Sequence, residues 1–132
     1  MKKLSISIIV FIVASILICS CTTETDCGQF SNLVIKNECS QLDIMSIGIA
    51  YGSQSGGAQN ADNTPMKKGA SVSFDMGEAQ GRSFIITVSD KDWNVLVQDE
   101  FVKDFTYNAD DIVYLSIRDA GDRGIALEDK LN

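Results

Sequence analysis

The chain has 132 residues, a formal net charge of −7 and no histidine. Without an imidazole, serine–histidine and cysteine–histidine hydrolases and histidine-ligated zinc sites are excluded. The acidity leaves no basic footprint for phosphates, so nucleic acid is not an expected partner.

In chain order, the first element is an export signal. Lys2 and Lys3 precede an apolar run, Leu4–Ile18, broken only by Ser5, Ser7 and Ser15. The run closes with Ile18-Cys19-Ser20-Cys21 and then turns polar at Thr22-Thr23-Glu24. A charged start, an apolar middle and a small residue before a junction are the parts of a cleaved signal peptide. The junction resembles the lipobox of bacterial lipoproteins, with cleavage between Ser20 and Cys21 and lipid on Cys21. That resemblance implies a diacylglyceryl thioether plus an N-acyl chain, which is enough for stable anchoring. An uncleaved membrane helix is the first rival, but the run of about 15 residues falls short of the roughly 20 that span a bilayer. Ordinary secretion is the second, and it leaves Cys21 unexplained. The expected organisation is a signal at 1–20, a lipidated cysteine and tether at 21–30, and one domain at 31–132. Losing Lys2 and Lys3 makes the remaining chain more acidic still, which suits solubility or a basic partner.

Two cysteines remain, Cys27 and Cys39. An exported chain permits a disulfide between them. The intervening Phe30–Asn37 reads as a strand, which would hold them roughly 20 Å apart, whereas a bridge needs Cα atoms about 5.5 Å apart. Either the flanks fold back to bridge, or the two are independent thiols.

From Leu33 onward, short apolar runs recur with turn signals every 8–12 residues or so, the pattern of an all-β domain. Expected strands are Leu33–Ile35, Leu42–Tyr51 with a phase slip near Met45-Ser46, and Ala70–Met76. Ser83–Ser89 and Val95–Val102 form a hairpin, Ile112–Ile117 follows, and Ile125–Leu127 adds a short edge. Gly52–Thr64 reads as a polar loop. Six or seven strands with these connections predict an immunoglobulin-like antiparallel β-sandwich; a small β-barrel is the alternative.

The segment Asn60–Asp75, with Ile47–Tyr51 before it and Val88–Asp92 after it, resembles small lipoproteins and secreted proteins of Clostridia and related Firmicutes. The likeness spans Leu33–Ile117. It implies a bacterial host and a β-sandwich, and brings no activity to transfer. The glycine usual in the Asp90–Asn94 turn is replaced here by Trp93 or Asn94.

Candidate chemistry is sparse. Asp90-x-Asp92-x-Asn94 begins like a calcium loop, but Val95 and Phe101 stand where its glycine and its glutamate belong. Asp and Asn are also ordinary turn formers. Trp93 at the turn tip either anchors an interface or packs on its own hairpin. Gly52–Gly57 lacks the lysine and following helix of a phosphate loop. Ser53, Gln54, Asn60, Asp62 and Asn63, with Asp90, Asp92, Trp93 and Asn94, are the candidate binding-loop residues, expected at one end of the sandwich. Asp104, Asp110 and Asp111 are placed near the same end. The reading is a non-catalytic recognition or accessory module without a cofactor. Its partners are membrane lipid, through Cys21, and an envelope or extracellular protein. An immunity or inhibitor lipoprotein facing a basic toxin or lytic enzyme is one alternative; a calcium-dependent module is another.

Overall fold

A computed structural model describes residues 31–130. The expected signal at 1–20, the Ser20–Cys21 junction, the tether at 21–30 and Cys27 lie outside the described residues.

Among the described residues eight strands form two sheets. They are β1 (Leu33–Asn37), β2 (Ser46–Tyr51), β3 (Gln54–Gln59), β4 (Ser71–Phe74), β5 (Ala79–Ser89), β6 (Val95–Phe105), β7 (Val113–Asp119) and β8 (Ile125–Asp129). One sheet has the order β4-β1-β7-β8 and the other β3-β2-β5-β6. The domain is thus a β-sandwich; two sheets with separate edges exclude the closed barrel.

Two expectations need correction. The fold is not wholly antiparallel: β1 lies parallel to β7, with Leu33 opposite Val113 and Asn37 opposite Ile117. There are also eight strands, because the expected loop Gly52–Thr64 contains β3, paired with β2 in full register from Gln54 to Gln59. Gly52 has φ of +55°, and Gly52-Ser53 forms a two-residue hairpin connection with glycine first, the pattern of a type II′ turn.

The alternation that foretold the strands also sets the core. Leu33 and Ile35, Val72 and Phe74, and Leu115 and Ile117 are buried from one sheet; Ile47, Ile49, Phe84, Ile86 and Val88 meet them from the other. Phe84 is the aromatic centre, stacked on Phe101 at 5.7 Å and edge-on to Phe105 at 5.4 Å. Ile44, fully buried, lies just before β2, so the phase slip at Met45-Ser46 falls at the strand's entry.

Two buried asparagines pin opposite ends. Asn32 Nδ2 donates to the Gly77 and Thr106 carbonyls at 2.9 and 3.1 Å, and its Oδ1 accepts from the Met76 amide at 2.8 Å. Asn37 Nδ2 donates to the Met66 carbonyl at 2.9 Å, while Oδ1 accepts from the Cys39 amide. Asn37 and the Asn32 carbonyl oxygen thus partner buried backbone groups, and the Asn32 amide nitrogen partners two part-buried carbonyls.

Strand directions define the ends. The chain enters at Asn32, beside the turns β2–β3, β4–β5 and β6–β7. The opposite, far end carries the connections 38–45, 60–70, 90–94 and 120–124.

Candidate functional site

The far end gathers most of the expected loop residues. Ser46 is flanked by Gln59 on one side and Ser89 on the other, so loops 60–65 and 90–94 leave this end two strands, about 10 Å, apart. Asn60, Asp62 and Asn63 therefore share an end with Asp90, Asp92, Trp93 and Asn94. Ser53 and Gln54 do not: β3 spans the whole sheet and carries them to the entry end. Asp110 and Asp111, in a short 3₁₀ turn between β6 and β7, also sit at the entry end, as does Asp104 near the close of β6.

Each loop is braced by its own polar side chains. Asn60 Nδ2 donates to the Thr64 and Pro65 carbonyls, both at 3.0 Å. Asp62 Oδ1 accepts from the Thr64 hydroxyl at 2.6 Å and the Thr64 amide at 3.1 Å. These bonds, the hydroxyl's foremost, hold the Asp62 carboxyl below its usual range. In the neighbouring turn, Asp90 Oδ1 accepts from the Asp92 and Asn94 amides at 2.9 Å, and Oδ2 accepts from Asn94 Nδ2 at 3.1 Å. Asn94 foremost lowers the Asp90 pKa. Asp90 thus directs both oxygens into its own turn, which is turn chemistry rather than the open ligand arc of a calcium loop. Among the described residues no group of three or more acidic or thiol side chains is placed to hold a metal.

Trp93 does not pack on its hairpin. It is 69% exposed, and its φ of +63° is left-handed, unusual for a bulky side chain. The position therefore favours glycine. The turn instead presents an indole to solvent, flanked by the exposed Lys91–Asp92 pair at 3.0 Å.

Sequence reasoning missed the strongest electrostatic feature of this end. Asp119, ending β7, accepts from the Ser40 hydroxyl at 2.6 Å, the Cys39 thiol at 3.0 Å and the Ser40 and Gln41 amides at 3.1 Å. Led by the thiol and hydroxyl, these donors hold its carboxyl far below the ordinary range. Cys39 is a buried free thiol, and burial foremost, then Asp119, raises its pKa. It stays protonated at neutral pH, which is not the state of a nucleophile. Cys27, its candidate partner for a disulfide in one of the two readings, lies outside the described residues. Beside Asp119, Lys36, Glu38, Lys68, Gly69 and Arg118 line an open depression of about 480 Å³. Glu38 fills its charge, with Arg118 Nε at 2.9 Å, Lys130 Nζ at 2.9 Å and Lys36 Nζ at 3.8 Å. No local signal marks this cluster: the β1–β7 pairing brings Arg118 to Glu38, and the β7–β8 pairing adds Lys130.

Compared with known protein families, curated proteins and solved structures, the chain matches none.

Proposed function

We propose that the chain is a bacterial lipoprotein, anchored through Cys21 on the extracytoplasmic side of the membrane, whose sandwich serves as a non-catalytic recognition or accessory module. The observation that carries this reading is Trp93. A large aromatic held 69% exposed in a left-handed backbone is kept against local conformational preference. Exposed indoles of this kind act as anchors at interfaces. The far end also points away from the point where a tether would join at Asn32, so the loops 60–65 and 90–94 face outward from the membrane.

Trp93 is the sole tryptophan, so intrinsic fluorescence reports on this site alone. With 7-azatryptophan incorporated at position 93, whose emission is separable from that of envelope tryptophans, titrating envelope fractions should shift the emission to the blue and protect it from quencher. Trp93→Ala should lose capture of the same component, whereas Val102→Ala, on the exposed face of β6, should not. An emission unchanged by every envelope fraction would refute the recognition role. The anchor is tested separately by the intact mass of native protein from membranes: a chain starting at Cys21 with added acyl mass is expected, and an unmodified one would refute it.

A second reading, a basic toxin or lytic enzyme as the partner, is favoured by Asp43, Asp62, Asp92 and Asp122, all exposed at the far end. Capture that weakens steeply with added salt is its signature.

A further inference from the structure

Four strand edges bound this sandwich, and three are guarded against pairing. β4 is only four residues long and follows Lys67 and Lys68. β8 carries Glu128 and Asp129, and β6 carries Asp99, Glu100, Lys103 and Asp104. The flank where β6 meets β8 is closed further by the ion pair of Lys103 with Asp129. Short strands and charges are the usual protection of an edge.

β3 has none of it. Gln54-Ser55-Gly56-Gly57-Ala58-Gln59 contains no charge, no proline and no bulge, in a chain of net charge −7. Among the described residues it pairs with β2 on one side and with no strand on the other. Its two-residue hairpin fixes which backbone groups face each way. Tyr51 and Gln54 close the turn as a hydrogen-bonded pair, so Gln54, Gly56 and Ala58 bond to β2. The amides and carbonyls of Ser55, Gly57 and Gln59 then point outward.

We infer that β3 is an assembly edge at which two copies of this chain pair antiparallel about a two-fold axis through Gly57, merging their sheets into one of eight strands. Three constraints select the second copy and this register. First, a two-fold axis between paired strands keeps the same face up, so opposing residues must share parity; a centre on Gly57 sets Ser55 opposite the other copy's Gln59. Second, this centre places outward groups only against outward groups, so all three residues of each copy are satisfied, by six hydrogen bonds across the seam. A centre on Gly56 would leave Gln59 opposite the turn. Third, the strand sets no like charges against each other, so two strongly acidic molecules meet where neither is charged. The small side chains at the centre let the strands approach without rearrangement. This inference is independent of the lipid anchor and of the Trp93 site, which lies at the far end.

The test uses the full chain in mild detergent, in a Cys27→Ser background with the unaltered chain run in parallel. Directly opposed, hydrogen-bonded residues lie about 5.5 Å apart at Cα, within disulfide range. Ser55→Cys and Gln59→Cys combined in one chain, or mixed as two single variants, should cross-link to a dimer on mild oxidation. Either single variant alone should not, because each then faces a residue four positions from its own counterpart. Ser55→Lys with Gln59→Lys should convert the dimer to monomer in sedimentation and remove the concentration dependence of Tm, leaving the Tm that the parent chain approaches on dilution. A monomeric parent chain, equal cross-linking by the single variants, or a dimer that survives the two lysines would each overturn the inference. So would a monomer whose β3 edge is filled by a peptide from another protein.

Discussion

Asn32 is the residue whose removal should cost most for its size. It is fully buried, and its amide serves three backbone groups: the Gly77 and Thr106 carbonyls and the Met76 amide. Those groups belong to the turns β4–β5 and β6–β7, so one side chain joins the start of β1 to both connections at the entry end. Each buried polar group left without a partner costs roughly 1–3 kcal/mol. Water can reach the two carbonyls, so Asn32→Ala should lose about 3 kcal/mol rather than the full sum. For a domain of this size, about 4–8 °C accompanies each kcal/mol, which puts the Tm fall at roughly 12–24 °C. Asn32→Asp separates hydrogen bonding from cavity formation, because it keeps the shape. The new carboxylate retains the bond from the Met76 amide but faces two carbonyl oxygens without a donor. Its folded-state pKa is therefore raised, and the variant should regain stability as pH falls and the acid protonates. Urea unfolding of both variants from pH 4 to 8 is the assay. A loss below about 1 kcal/mol for the alanine variant, or parental stability for the aspartate variant at pH 7, would refute this account.

Trp93→Gly should stabilise the fold by about 0.5–1 kcal/mol, since glycine adopts positive φ freely, and on the proposed role should abolish capture; thermal unfolding beside the fluorescence assay checks both halves. Asp119→Asn should loosen the 39–44 segment, seen as faster exchange of the Ser40 and Gln41 amides. Because the Asp119 pKa is depressed, its contribution is present above the unfolded carboxyl value of about 3.9 and fades as pH falls toward the folded value. Those two amide resonances should accordingly stay unchanged from pH 8 to about 4. Phe84→Ala should cost about 3–5 kcal/mol in urea unfolding, whereas Val102→Ala, 61% exposed, should stay within about 0.5 kcal/mol of the parent.

What the sequence discloses depends on how locally each feature is determined. The β5–β6 hairpin, β4 and β7 are legible because Phe84, Ile86 and Val88, then Val72 and Phe74, then Leu115 and Ile117 alternate with polar neighbours over a few positions. β3 is not, since only Ala58 of its six residues is buried and no alternation survives. The remaining signal was Gly52-Ser53 directly after an apolar strand, a spacing that suits a two-residue hairpin. The parallel β1–β7 pair has no local trace at all. Asn32 and Asn37 read as polar positions of an expected strand and Asp119 as loop polarity, because apart from the Cys39 amide beside Asn37 their partners lie 29 to 80 positions away. Of the candidate site, the turn chemistry of Asp90 and Asp62 was foreseeable, whereas the exposure of Trp93 depended on a backbone sign that composition does not encode.

The parallel pairing of β1 with β7 governs when this molecule can exist as a folded object. Among the described residues β1 is the first strand to be synthesised, yet Leu33 rests between Phe74 and Val113. One sheet-mate arrives about 40 positions later, the other about 80. So high a contact order implies folding on the millisecond-to-second scale rather than in microseconds. Until Val113 emerges, Leu33 and Ile35 have no settled place and stay open to holding factors. The β4-β1-β7-β8 sheet thereby stays unassembled for almost the whole of synthesis. Folding is then nearly simultaneous with release, and truncation before β7 should leave an aggregating fragment instead of a smaller domain.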